Sequence, residues 1–154
     1  MKIKEFFKKY IALTEGEISD SGKIEGYIAR EGESIIKRRF SAEETEDGEH
    51  SVTEYKVCSR SKDKSLVFVR PITGRTHQIR VHMSHTGHPL LGDEVYGGAK
   101  TRFQSLHKDC IHGQCLHAKE LHLTHPTTNM NCTFTSELPD DFMRVLDLLE
   151  KTCT

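Results

Sequence analysis

An α+β chain built mainly from antiparallel strands is what this sequence predicts, on three observations. Short stretches of alternating apolar and polar residues recur between turn residues, helical periodicity is confined to two segments, and 154 residues fit one domain. From Lys9 to Phe40 the stretches Tyr10-Ile11-Ala12-Leu13 and Ile24-Glu25-Gly26-Tyr27-Ile28, with Gly16 and Gly22 as turn points, read as strands joined by hairpins. Residues 41–50 carry five carboxylates and no lysine or arginine, the pattern of a solvated loop. Val52 to Val57 and Ser65 to Arg70 are rich in β-branched and aromatic residues and are separated by a polar turn, which predicts an antiparallel pair. Pro71 and Gly74 stop the second strand, and Thr76 is positioned to N-cap a helix running to about Thr86, ended by Gly87 with Pro89 beyond. On that helix Ile79, Met83 and Thr86 share one face and His77, Arg80 and Ser84 another, so one side packs while the other is free to work. Strands follow from Cys115 to Thr124 and from Met130 to Thr135. A last helix after Pro139 carries Phe142, Val145, Leu146 and Leu149 on one stripe, as expected of core.

Composition narrows the function classes. With 22 Lys+Arg against 23 Asp+Glu, affinity for a polyanion cannot rest on bulk charge and must come from a local patch. The longest aliphatic or aromatic run, Leu66-Val67-Phe68-Val69, is far short of the roughly 20 residues of a membrane span. Glu5, Lys8 and Lys9 interrupt any apolar region after the basic start, which argues against a secretory signal and for a cytoplasmic protein. Cys58, Cys110, Cys115, Cys132 and Cys153 form an odd set, in keeping with a reducing compartment.

One stretch is cationic. Between Cys58 and His88 stand Arg60, Lys62, Lys64, Arg70, Arg75 and Arg80 against the single carboxylate of Asp63, with His77, His82, His85 and His88 added. Such a stretch either neutralises phosphates of a polynucleotide or is ordinary solvated surface, and charge alone does not separate the two. The run Arg70 to His82 combines a strand end, a Gly turn and a helix start, where backbone N–H groups and Arg75 together suit a phosphate. His77 reads equally as a structural histidine and Gln78 equally as a solvent residue.

The run Thr73-Gly74-Arg75-Thr76-His77-Gln78-Ile79-Arg80-Val81-His82, followed by Gly87-His88-Pro89-Leu90-Leu91-Gly92-Asp93 and Tyr96-Gly97, strongly resembles the RluA/RluD family of RNA pseudouridine synthases. Lys8-Lys9-Tyr10-Ile11-Ala12-Leu13 resembles the family's Lys-x-Tyr-x-Ala strand, and Leu116-His117-Ala118-Lys119-Glu120-Leu121 with His125-Pro126 its closing strand. The resemblance covers nearly the whole chain in the right order. It implies a cofactor-free, metal-free isomerase that detaches uracil from ribose in ribosomal or transfer RNA, rotates it and rejoins it through C5. By similarity Tyr10 lies against the flipped base, Ile79 walls the pocket, and Arg80 pairs with the catalytic aspartate. Arg75, Thr76, His77 and Gln78 become candidates for RNA contact or loop shaping.

The family's His-Arg-Leu-Asp segment, whose Asp is catalytic, has no counterpart in this sequence. Asp20 lacks the flanking pattern, and Asp93 matches a Gly-Asp turn in which its carboxylate binds its own backbone. The resemblance therefore implies that residues 1–154 form a single partial domain: the C-terminal part of a catalytic domain, with a mixed, mostly antiparallel sheet and flanking helices. Such a chain is expected to be inactive alone and to self-associate through exposed sheet edges. Two other readings compete. One is a non-catalytic RNA-binding or assembly module of the same fold. The other is a zinc module, because Cys110, His112, Cys115 and His117 fall within eight residues.

Overall fold

The computed structural model describes residues 6–61, 63–97 and 101–151; Lys62 and Cys153, singled out above, lie outside them. Seven strands and three helices follow in the order β1 (Phe6–Glu15), β2 (Ser21–Arg30), β3 (Arg38–Ser41), β4 (Glu49–Ser61), β5 (Lys64–Pro71), α1 (Gln78–His85), α2 (Arg102–Leu106), β6 (Leu116–Thr124), β7 (Asn131–Thr135) and α3 (Asp140–Lys151). The strands form one sheet in the order β3-β2-β4-β5-β1-β6-β7, and every pairing between them is antiparallel.

The predicted β4–β5 pair is present, with Tyr55 opposite Val69. The predicted hairpin between the first two strands is not. β1 bonds β5 on one side and β6 on the other, whereas β2 lies between β3 and β4. Ile11, Ala12 and Leu13 are all buried, so β1 is apolar on both faces and belongs at the centre of the sheet. Gly16 does turn, at φ 78°. Gly22 instead sits inside β2 opposite Tyr55, where a Cβ would stand 2.8 Å from the tyrosine ring. A side chain there would collide with the neighbouring strand.

The period-2 alternation assigns the two faces. Ile11 and Leu13 of β1, opposite Phe68 and Leu66 of β5, pack under Phe142, Val145 and Leu149 of α3. Ala12, opposite Val67, packs on the other face with Val69 and with Ile79 and Met83 of α1. The expected α3 stripe is thus core. α1 begins at Gln78 with His77 at its N-cap in the left-handed region, and no side chain caps it; the capping role expected of Thr76 is not realised. The short helix α2 carries no long periodic pattern, and Thr101 caps it by accepting the Gln104 N–H. Among the described residues no helix is long and apolar enough to cross a membrane.

Candidate active site

Along β1, Phe6, Lys8 and Tyr10 project to the same face by alternation. That face meets the β5–α1 loop and the start of α1, and together they enclose a cleft of about 490 Å³. Its lining includes Tyr10, Arg75, His77, Gln78, Ile79 and Arg80, so six of the seven site residues proposed from sequence converge there. Thr76, the seventh, is exposed and faces a neighbouring groove. No carboxylate lines the cleft among the described residues.

Arg80 is 12% exposed and is gripped in a two-point fork: Nε donates to Asp93 Oδ2 at 2.9 Å and Nη2 to Oδ1 at 2.9 Å. The family resemblance pairs Arg80 with the catalytic aspartate, for which this sequence has no counterpart; the fold gives Arg80 a different acid within the chain, Asp93. Asp93 is fully buried, and its Oδ1 also accepts the backbone N–H groups of Val95 and Tyr96, both at 3.1 Å. The expected turn bonding is present, and the same carboxylate additionally fixes the guanidinium. Burial alone would raise the Asp93 pKa, but the Arg80 fork and the two backbone donors outweigh it and hold the group below the usual carboxylate range. A guanidinium has five N–H donors, and only two are used here; the rest have no partner among the described residues.

The turn that Asp93 closes also positions His77. The Tyr96 hydroxyl accepts the Arg38 backbone N–H at 2.9 Å and lies 3.0 Å from His77 Nδ1, while Ser84 donates to the Tyr96 carbonyl at 2.9 Å. Burial, then the charges of Arg80 and Arg38, lowers the His77 pKa, which favours the neutral ring with the Tyr96 hydroxyl as donor to Nδ1. His77 pays for this placement with φ 56°, a backbone conformation rare outside glycine.

Gln78 is not a solvent residue. It is 4% exposed, its Oε1 accepts from Thr73 Oγ1 (2.6 Å) and the Arg75 backbone (3.0 Å), and its Nε2 donates to the Val52 carbonyl (2.8 Å) and Thr53 Oγ1 (2.9 Å). With its hydrogen bonds directed into the protein, it shapes the loop of residues 73–75 against β4. Arg75 reaches the cleft while held by Glu49 Oε2 at 3.0 Å and the His50 carbonyl at 2.8 Å.

The linear basic stretch disperses in three dimensions. Arg60 binds Asp20, Arg70 lies over Phe7 on the opposite sheet face, and Lys64 is 2% exposed with Nζ 2.7 Å from Glu15. The zinc reading finds no support in the fold. His112 bonds Asp141, and burial, followed by Glu15, pushes the Cys115 thiol up to about 12, so it stays protonated. No group of three or more ligands that could hold a metal exists among the described residues.

A family model described as RNA pseudouridylate synthase matches residues 2–85. The chain belongs to that family. It is 37% identical over 140 residues to the uncharacterized RNA pseudouridine synthase YjbO of Bacillus subtilis (strain 168), covering 90% of this chain and 45% of that protein. It is 39% identical over 153 residues to the ribosomal large subunit pseudouridine synthase D of Pseudomonas aeruginosa, covering 92% and 45%. Among solved structures, human RNA pseudouridylate synthase domain containing 4 aligns with TM-score 0.74 and 26% identity over 94% of this chain and 62% of that one. The human domain containing 1 protein gives 0.70 and 30% over 87% and 55%. The chain spans less than half the length of these bacterial family members, 45% of each.

Proposed function

We propose that this chain forms part of the active cleft of an RNA pseudouridine synthase acting on ribosomal or transfer RNA. The observation that carries the reading is the convergence of Tyr10, Ile79 and a pre-oriented Arg80 on one cleft. Uridine and pseudouridine are isomers: the C1′–N1 bond breaks, C1′–C5 forms, C5 loses a proton and N1 gains one. No redox cofactor is required by that balance. The base must leave its stack, at a cost of a few kcal/mol that contacts in the cleft offset. The Tyr10 ring offers a stacking surface and Ile79 an apolar wall. Asp93 holds one edge of Arg80, and its remaining N–H groups are available for the nucleophilic carboxylate that the family uses.

The 154-residue chain alone is inactive on this reading, because no carboxylate lines the cleft among its described residues. Turnover of uridine by the purified chain would overturn that assignment. The wider function is tested by deleting the encoding gene and mapping pseudouridine across ribosomal and transfer RNA. Loss of one or more sites, reproduced by an Arg80→Ala allele, is expected; a full complement of sites after deletion refutes the reading. Residues 1–154 constitute a single partial domain, and the edge strand β7, with Phe134 57% exposed, is where a second copy would pair. A stable monomer on size-exclusion chromatography would argue against such pairing.

A further inference from the structure

A second basic groove, about 430 Å³, adjoins the cleft and contains Arg30, Arg38, Arg75 and Thr76 in its lining. Arg30 and Arg38 are direct partners across β2 and β3. Like charges directly opposite each other destabilise a sheet, yet neither guanidinium has a carboxylate partner among the described residues. Arg38 Nη1 donates only to the Ile35 carbonyl at 3.2 Å. The two carboxylates at the groove are already engaged, Asp47 by Arg39 at 2.7 and 2.8 Å and Glu49 by Arg75 at 3.0 Å.

The face these arginines occupy follows from register. Ile28 and Phe40 are partners two residues further along, and the Phe40 ring lies 3.9 Å from that of His85 on α1. Arg30 and Arg38 therefore project on the α1 side of the sheet, the side that holds the cleft. Arg75 lines both cavities, and the Arg38 backbone is tied to Tyr96 in the turn that Asp93 closes. The groove is thus held in register with Arg80.

We infer that the Arg30–Arg38 pair binds a backbone phosphate of the RNA strand flanking the nucleotide in the cleft, a subsite for single-stranded polynucleotide. This rests on the RNA reading above. Forked guanidinium–phosphate contacts would relieve the unpaired like charges, and Arg75 would continue the track into the cleft.

The test is fluorescence-anisotropy binding of a uridine-containing single-stranded RNA to the full chain across a salt series. Each single-strand phosphate left unneutralised lowers the slope of log K against log salt by about 0.7, so Arg30→Gln with Arg38→Gln, which empties one phosphate site, should lower it by about 0.7. At 0.1 M salt, relative to 1 M, that corresponds to roughly 5-fold weaker binding. Arg30→Lys with Arg38→Lys should restore most of the slope, and Glu49→Gln, which releases Arg75, should steepen it. The double Gln variant should melt at or above the parent temperature, since it removes a repulsion; a lower melting temperature would refute the like-charge premise. Parent chain that binds RNA while the double Gln variant keeps the parent slope overturns the groove alone. Parent chain that fails to bind RNA at low salt overturns the groove and the RNA reading together.

Discussion

Replacing Asp93 by Asn keeps the shape of the side chain and removes its charge, so it isolates the Arg80 clasp. The carboxylate is fully buried and accepts four hydrogen bonds, two from Arg80 and two from the backbone of residues 95 and 96. Breaking a buried ion pair by removing one partner costs about 3–5 kcal/mol. Arg80 retains 12% exposure toward the cleft and recovers some hydration, which favours the lower end, about 3 kcal/mol. For a chain of this size that corresponds to a drop in Tm of roughly 6–12 °C. The pH dependence adds a second readout. Because the folded-state pKa of Asp93 is depressed, its stabilisation is present above the unfolded carboxylate pKa of about 3.9 and disappears as pH falls through the folded value. Urea unfolding of parent and variant at neutral pH and at acid pH should therefore show the difference between them shrinking in acid. A loss below about 1 kcal/mol at pH 7, or a difference that does not change with pH, would refute a charge-based clasp.

Three further outcomes follow from the same packing. Burial, with the charge of His85 added, lowers the His82 pKa to about 4, while the unfolded chain protonates near 6.5. Stability should accordingly fall by roughly 3 kcal/mol as pH drops from 6.5 to 4, and His82→Gln, which keeps a donor for Ser51, should flatten that window in denaturant titrations. Gln78→Leu takes the acceptor from the Arg75 N–H and the Thr73 hydroxyl and the donor from Thr53 Oγ1, while the Val52 carbonyl keeps the Ile72 N–H at 2.9 Å; it should cost about 2–3 kcal/mol by thermal unfolding. Gly92→Ala places a Cβ 2.1 Å from the Gly113 carbonyl oxygen at φ 82°, and should yield a chain destabilised by about 3 kcal/mol or more, or none that folds.

Strand and helix positions were legible in the sequence because alternation and 3.6-residue periodicity are local properties of a segment. Ser65 to Arg70 falls within β5, and the stripe Phe142, Val145, Leu146 and Leu149 is the buried side of α3. Tyr10 and Arg80 were nameable because the motif residues carry a family resemblance, and the cleft contains both. Which strand lies beside which was not legible. Pairing is a long-range choice, and β1 prefers β5 and β6 to its sequence neighbour β2 because only a central position buries both its faces.

Charge was the least readable quantity. A count along the chain between Cys58 and His88 merges residues that alternate between opposite sheet faces, and so it suggested a patch that the fold scatters. The patch that exists joins Arg30 and Arg38 across a hairpin to Arg75, which only register brings alongside them. Asp93 stands thirteen residues after Arg80, and its Gly-Asp turn was visible as a turn. Tertiary structure alone decided that the carboxylate closing the turn would also grip the arginine, because α1 ends at His85, the chain turns at Gly87 and returns to bring both groups into one buried pair. Local backbone preference is written residue by residue in the amino-acid order, whereas the partner of a charge is set by where the folded chain comes back to meet it.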